Sequence, residues 1–121
     1  MRILLADDEP QVLELVTEIL ESAGHAVCTA TDGNTALQAL LTRGDVDALV
    51  TDYEMPHLTG GDLARVFRAQ HPDAPICMIS GDVALAPQLA PELDALGITF
   101  VSKPFSQVAL LGALGARSAR Q

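Results

Sequence analysis

Asp52 ends a run, Ala48-Leu49-Val50-Thr51, that opens with three apolar residues, and the chain then turns at once through Tyr53-Glu54-Met55-Pro56. A short, wholly apolar run such as Ala48-Leu49-Val50 reads as a strand buried on both faces, and in an open α/β sheet the carboxyl ends of such strands are where ligands bind. Two other runs end in the same way. Ile3-Leu4-Leu5-Ala6 leads into Asp7-Asp8-Glu9, and Ile98-Thr99-Phe100-Val101 leads to Lys103-Pro104, while Ile76-Cys77-Met78-Ile79 ends in Ser80. A carboxylate is ionised at neutral pH and needs no base to act as a nucleophile, but it repels an anionic phosphoryl donor. A cation must cancel that repulsion. Magnesium suits the task because it is hard, takes one or two carboxylates with several waters, and can bridge to a phosphoryl oxygen. Asp7 and Asp8 offer it a place. Lys103 offers a point charge to a second phosphoryl oxygen and the Ser80 hydroxyl can donate to a third, so the residue types are those of phosphoryl transfer onto a carboxylate.

Each of these residues also has an ordinary reading. Asp7 and Asp8 could cap the helix that follows them, Lys103 could be a solvated lysine, and Ser80 could be a turn residue. Asp52 at the end of another strand argues against the first, and the place of Lys103 at a third strand end argues against the second.

The elements that must position these groups alternate along the chain. Pro10 suits the first turn of a helix carrying Val12, Leu13, Val16, Ile19, Leu20 and Ala23, stopped by Gly24. His25 to Ala30 is a short strand. Asp32 can cap a helix carrying Ala36, Leu37, Leu40 and Leu41, ended by Gly44. Gly60-Gly61 opens a helix with Leu63, Val66 and Phe67 inward, and Ser106 caps a last one with Val108, Leu111 and Leu114. Between them, Val83 to Leu96 is interrupted by Pro87 and Pro91. A proline inside a helix costs about 3 kcal/mol, which predicts a short or broken fourth helix. Strands separated by helices with short connections imply an α/β fold: a five-stranded parallel sheet with helices on both faces. If Asp7, Asp8 and Asp52 share a site, the first and third strands are neighbours, a condition that the order 2-1-3-4-5 meets.

In these residues the chain resembles the receiver domain of two-component response regulators. The resemblance spans residues 1–121 and rests on Asp7-Asp8, on Asp52 followed by Met55-Pro56 and Gly60, on Ser80, and on Lys103-Pro104-Phe105. It implies the flavodoxin-like strand order 2-1-3-4-5 and a phosphorylation-activated switch of the phosphorelay kind. Asp52 would accept a phosphoryl group, as a 4-aspartylphosphate, from a histidine kinase or histidine phosphotransfer protein. Asp8 would ligate Mg2+ directly, Asp7 mainly through water, Asp52 as well, and Glu54 through its backbone carbonyl. Ser80 and Lys103 would bind phosphoryl oxygens. Phe100 falls at the family's rotating aromatic position, although an aromatic in a strand also serves as core, and the Lys103-Pro104 bond would be cis. Such a domain assists its own phosphorylation and dephosphorylation and is not a turnover enzyme, and its downstream protein partner is left open.

Other classes fit less well. A magnesium-dependent phosphatase with an aspartyl nucleophile places two acids at D-x-D spacing after the first strand, whereas Asp7 and Asp8 are adjacent. A flavodoxin-type cofactor module needs a hydroxyl- and glycine-rich loop there, and Asp7-Asp8-Glu9 would repel the phosphate. With 121 residues, 49% of them hydrophobic, and a net charge of −9, one folded domain is expected, and direct nucleic-acid binding is not. A single receiver domain over residues 1–121, with no output domain in this chain, is the expected organisation. No apolar run is long enough for a membrane span and no signal-peptide pattern precedes the first strand, so a cytoplasmic location is expected, with Cys28 and Cys77 reduced.

Overall fold

The computed structural model describes residues 1–82, 84–103 and 105–115. Strands and helices take turns along it: β1 (Arg2–Ala6), α1 (Pro10–Ser22), β2 (Ala26–Ala30), α2 (Gly33–Thr42), β3 (Ala48–Asp52), α3 (Gly60–Gln70), β4 (Ile76–Ser80), α4 (Leu85–Leu96), β5 (Ile98–Ser102) and α5 (Gln107–Gly115). The strands form one parallel sheet in the order β2-β1-β3-β4-β5, as expected.

Side-chain alternation along the strands divides the core in two. Leu4, Ala6, Leu49, Ile76 and Met78 face α2, α3 and α4 through Ala36, Leu40, Leu63, Phe67 and Leu93. On the other face Ile3, Leu5, Ala48, Val50, Cys77, Ile79 and Val101 meet Leu13, Val16 and Leu20 of α1 and Leu110, Ala113 and Leu114 of α5. With both faces of the central strands covered, β3 and β4 are buried at every residue. Cys28 and Cys77 are free thiols. Among the described residues no helix is long and apolar enough to cross a membrane.

Asp32 caps α2 through a 2.7 Å bond from the Thr35 amide, and Ser106 caps α5 by accepting from the Ala109 amide at 3.0 Å. In α5 the inward residues are Leu110, Ala113 and Leu114, whereas Val108 is 82% exposed. Leu41 of α2 likewise faces out.

The fourth helix overturns the expectation of a short or broken one. It runs for 12 residues and closes on Gly97, whose φ of 66° is the left-handed turn that glycine adopts freely. Because the helix begins at Leu85, Pro87 falls in its first turn, where an N–H has no acceptor within the helix. Pro91 does lie inside. The carbonyl it leaves unbonded belongs to Pro87, one turn earlier on the same exposed side, where water can take it. Leu93 is buried, and Leu89 and Leu96 pack against the same core, so tertiary packing holds the helix against local propensity.

Arg68 locks this region. Its guanidinium donates to the carbonyls of Leu96 at 2.6 Å and Gly97 at 3.2 Å, and to those of His71, Pro72 and Ala74 at 3.0, 3.2 and 2.6 Å, joining the end of α3 to the turn before β4 and the end of α4. Replacing it by methionine keeps the aliphatic stem and strands several carbonyls. Arg68→Met is expected to destabilise the fold by about 3 kcal/mol, read by urea denaturation, and an unchanged midpoint would mean that water satisfies those carbonyls equally well.

Candidate functional site at the carboxyl edge of the sheet

Backbone hydrogen bonds continue the sheet just past the strand ends. The Asp7 amide donates to Ala30, the Tyr53 amide to Ile79 and the Lys103 amide to Ser80, at 3.1, 3.1 and 2.8 Å. The loops carrying the site are therefore pinned where they leave the sheet.

The structure brings Asp7, Asp8, Asp52 and Lys103 together. One carboxylate oxygen from each of Asp7, Asp8 and Asp52 lies within 4.8 Å of the other two. Asp7 and Asp52 are buried and Asp8 is exposed. The Lys103 ammonium stands 3.5 Å from Asp7 Oδ2 and 3.7 Å from Asp52 Oδ1. Asp8, Asp52, Glu54, Gly81, Asp82 and Lys103 line one cleft together with Glu9. Ser80 is fully buried at the end of β4, one residue beyond Ile79, the cross-strand neighbour of Asp52. Its Oγ accepts from the Asp82 amide at 3.0 Å, which leaves its own hydrogen to be donated elsewhere. Phe100 is half-buried, paired with Met78 across β4 and β5 and packed on the core. Pro104 lies outside the described residues, and with it the expected cis bond.

The acids do not serve as a cap for α1. Glu9 occupies the N-cap position without a side-chain cap bond, and Asp7 Oδ1 accepts from the Glu9 amide at 2.9 Å, outside the helix. That disposes of the ordinary reading. Burial and the neighbouring Asp7 charge push the pKa of Asp52 from 3.8 up to about 6, against the pull of Lys103. Burial raises Asp7 as well. Burial alone would lower Lys103, but the hydrogen bond to Glu9 and the charges of Asp52, Asp7 and Glu9 outweigh it and raise it.

A hard divalent cation fits this donor set. Asp7 Oδ2 is a buried oxygen without a hydrogen-bond partner, and every converging donor is a carboxylate oxygen, which suits magnesium rather than a softer metal.

Three features went unseen in the sequence. Glu9 reaches Lys103 at 2.8 Å, a contact between residues 94 apart that no local pattern signals. Thr59 and Asp62 form a capping box at the start of α3, which the spacing T-x-x-D could have revealed. The third is the close approach at Gly60, which the sequence marked only as a helix start: a Cβ there would run into the Asp52 carbonyl oxygen and the Tyr53 Cα. Gly60→Ala is therefore expected to cost about 2 kcal/mol in thermal stability and to weaken any ligand binding at Asp52, because the obstacle is backbone. A substitution neutral in both measurements would show that the loop yields freely.

Residues 3–115 match the family model described as the response regulator receiver domain. Among curated proteins, the transcriptional regulatory protein TcrA of Mycobacterium tuberculosis is 33% identical over 120 residues, 99% of this chain and 47% of that protein. Response regulator MprA of Mycobacterium leprae is 35% identical over 116 residues, 96% of this chain and 50% of that protein. The chain thus spans about half the length of these relatives. Among solved structures, chemotaxis protein CheY4 of Vibrio cholerae superposes with a TM-score of 0.81 at 31% identity, covering 94% of this chain and 95% of that one. The receiver domain of the hybrid histidine kinase CckA gives 0.74 at 29% identity, covering 95% and 96%. These likenesses lend no support to the phosphatase reading.

Proposed function

Because this chain belongs to the response regulator receiver domain family, we propose that it is a phosphorylation-controlled interaction switch in which Asp52 receives a phosphoryl group from a histidine kinase or histidine phosphotransfer protein. One observation carries the reading: a buried carboxylate, Asp52, ends the central strand between two further aspartates and a lysine 3.7 Å away.

Asp52 is the nucleophile. With a pKa of about 6 it is ionised at neutral pH yet more basic than an ordinary carboxylate. Its oxygen forms a bond to the phosphorus of a phosphohistidine as the phosphorus–nitrogen bond breaks, and the imidazole nitrogen leaves with the bonding pair and takes up a proton. Lys103 offers its charge to one phosphoryl oxygen and the Ser80 hydroxyl donates to another. Asp7, Asp8, Asp52 and the Glu54 carbonyl would hold magnesium, which supplies the positive charge that lets two anions meet. The domain is not a turnover enzyme on an external substrate, since the group it receives is hydrolysed from Asp52 itself. Its donor and its downstream partner are proteins. The net charge of −9 argues against direct contact with nucleic acid, and a cytoplasmic location fits a donor of this kind.

The switch follows from Ser80. Drawing its hydroxyl toward a phosphoryl group pulls on the loop bonded to it through Asp82, next to α4, and Phe100 on the adjoining strand can change its packing. Beryllofluoride with magnesium, which mimics the phosphoryl group, is expected to change amide exchange in α4 and β5 while leaving the middle of α1 as it was. Unchanged exchange throughout would leave phosphorylation without a structural output.

A further inference from the structure

We infer that Glu9 is a positioning residue for Lys103: it holds the ammonium at the rim of the cleft while Asp52 is bare and gives it up when a phosphoryl group arrives, so that the Glu9 charge opposes phosphorylation. The inference rests on the reading of Asp52 as the acceptor.

Lys103 is the cation among the residues lining the cleft. Its nearest partner is nevertheless neither Asp7 nor Asp52 but Glu9, at hydrogen-bond length, 2.8 Å against 3.5 and 3.7 Å. Glu9 lies outside the trio of acids whose oxygens converge, and its side chain makes no cap bond to α1. Neither metal binding nor helix capping accounts for its orientation. The Lys103 contact does. The pair spans the cleft wall, with the Glu9 side chain 60% exposed and that of Lys103 18% exposed. Asp7 Oδ1 accepts from the Glu9 amide at 2.9 Å and fixes the backbone from which the side chain reaches.

A phosphoryl group on Asp52 adds oxygens and negative charge where Lys103 already borders on Asp52. Lys103 then exchanges its Glu9 bond for one to a phosphoryl oxygen, and the Glu9 carboxylate returns to water at little cost because it is exposed. What is lost in the exchange is an ion pair at the cleft rim with one exposed member, and that loss falls on the phosphorylated state.

The test measures the rate and the half-saturating acetyl phosphate concentration for labelling Asp52, at saturating magnesium, in the parent, Glu9→Gln, Lys103→Met and the double variant. Glu9→Gln is expected to speed labelling about three- to fivefold, the range an exposed ion pair commands, and to change nothing when Lys103 is already methionine. Equal acceleration in both backgrounds would show Glu9 acting on the donor as a plain negative charge and would overturn the exchange. No acceleration in the parent background would overturn it as well. A folded parent that takes no phosphoryl group under these conditions overturns the reading of Asp52, and the Glu9 inference with it.

Discussion

Asp52→Asn is expected to be more stable than the parent by about 3 kcal/mol at pH 7 in the absence of divalent metal, because each unit of pKa shift corresponds to 1.36 kcal/mol. The shift runs from 3.8 to about 6, so the folded state holds the Asp52 proton more tightly than the unfolded one. The cost is fully present above pH 6, where the buried carboxylate is ionised beside Asp7. It is relieved as the pH falls toward 4, and gone below that. Asp7, raised by burial, pushes in the same direction. Parent stability in chelator should therefore rise between pH 7 and about 4.5, and Asp52→Asn should flatten that rise. Asp32 and Asp62, whose hydrogen bonds to Thr35 and Thr59 lower their pKa, act only at more acid pH, where their contribution is lost. Millimolar magnesium should raise the parent's melting midpoint, since an ion that binds only the folded state stabilises it by mass action, and Asp8→Ala should remove that shift. A less stable Asp52→Asn would mean that Lys103 already neutralises Asp52 in full.

The second large effect is kinetic. Lys103→Met keeps the length of the side chain and removes the charge that stands 3.7 Å from Asp52. Labelling of Asp52 by acetyl phosphate is expected to slow by about a hundredfold at saturating donor, the loss that follows removal of one preorganised group facing the developing charge. The half-saturating donor concentration should move much less, because the charge matters most at the transition state. Labelling at an unchanged saturated rate, with only the donor affinity reduced, would make Lys103 an attractor for anions and remove it from the transfer step.

Three members of the charged centre, Asp7, Asp52 and Lys103, were legible because each continues a strand's alternation on one face of the sheet. Ile3, Leu5 and Asp7 share a parity, as do Ala48, Val50 and Asp52, and Val101 and Lys103, so the face that buries β1, β3 and β5 against α1 and α5 delivers its next residue to the cleft. Strand ends and helix caps at Asp32 and Ser106 were readable for the same local reasons. What escaped was long-range. The contact of Glu9 with Lys103 and the five carbonyls gathered by Arg68 join segments that only the fold brings together. In α4 the two prolines carried a local cost that Leu89, Leu93 and Leu96 outweigh by packing on the sheet. In α5 the run Val108-Ala109-Leu110-Leu111 is apolar on every residue, so periodicity could not choose the face, and the sheet chose Leu110.

Asp52 itself is expected to become the acyl phosphate. The chain should be incubated with acetyl phosphate and magnesium, reduced with borohydride to convert the acyl phosphate to a stable alcohol, digested, and sequenced by mass spectrometry. Homoserine is expected in place of aspartate at position 52 alone, and none in Asp52→Asn. Modification at Asp7 or Asp8 with Asp52 intact, or a parent chain that carries no label, would contradict it.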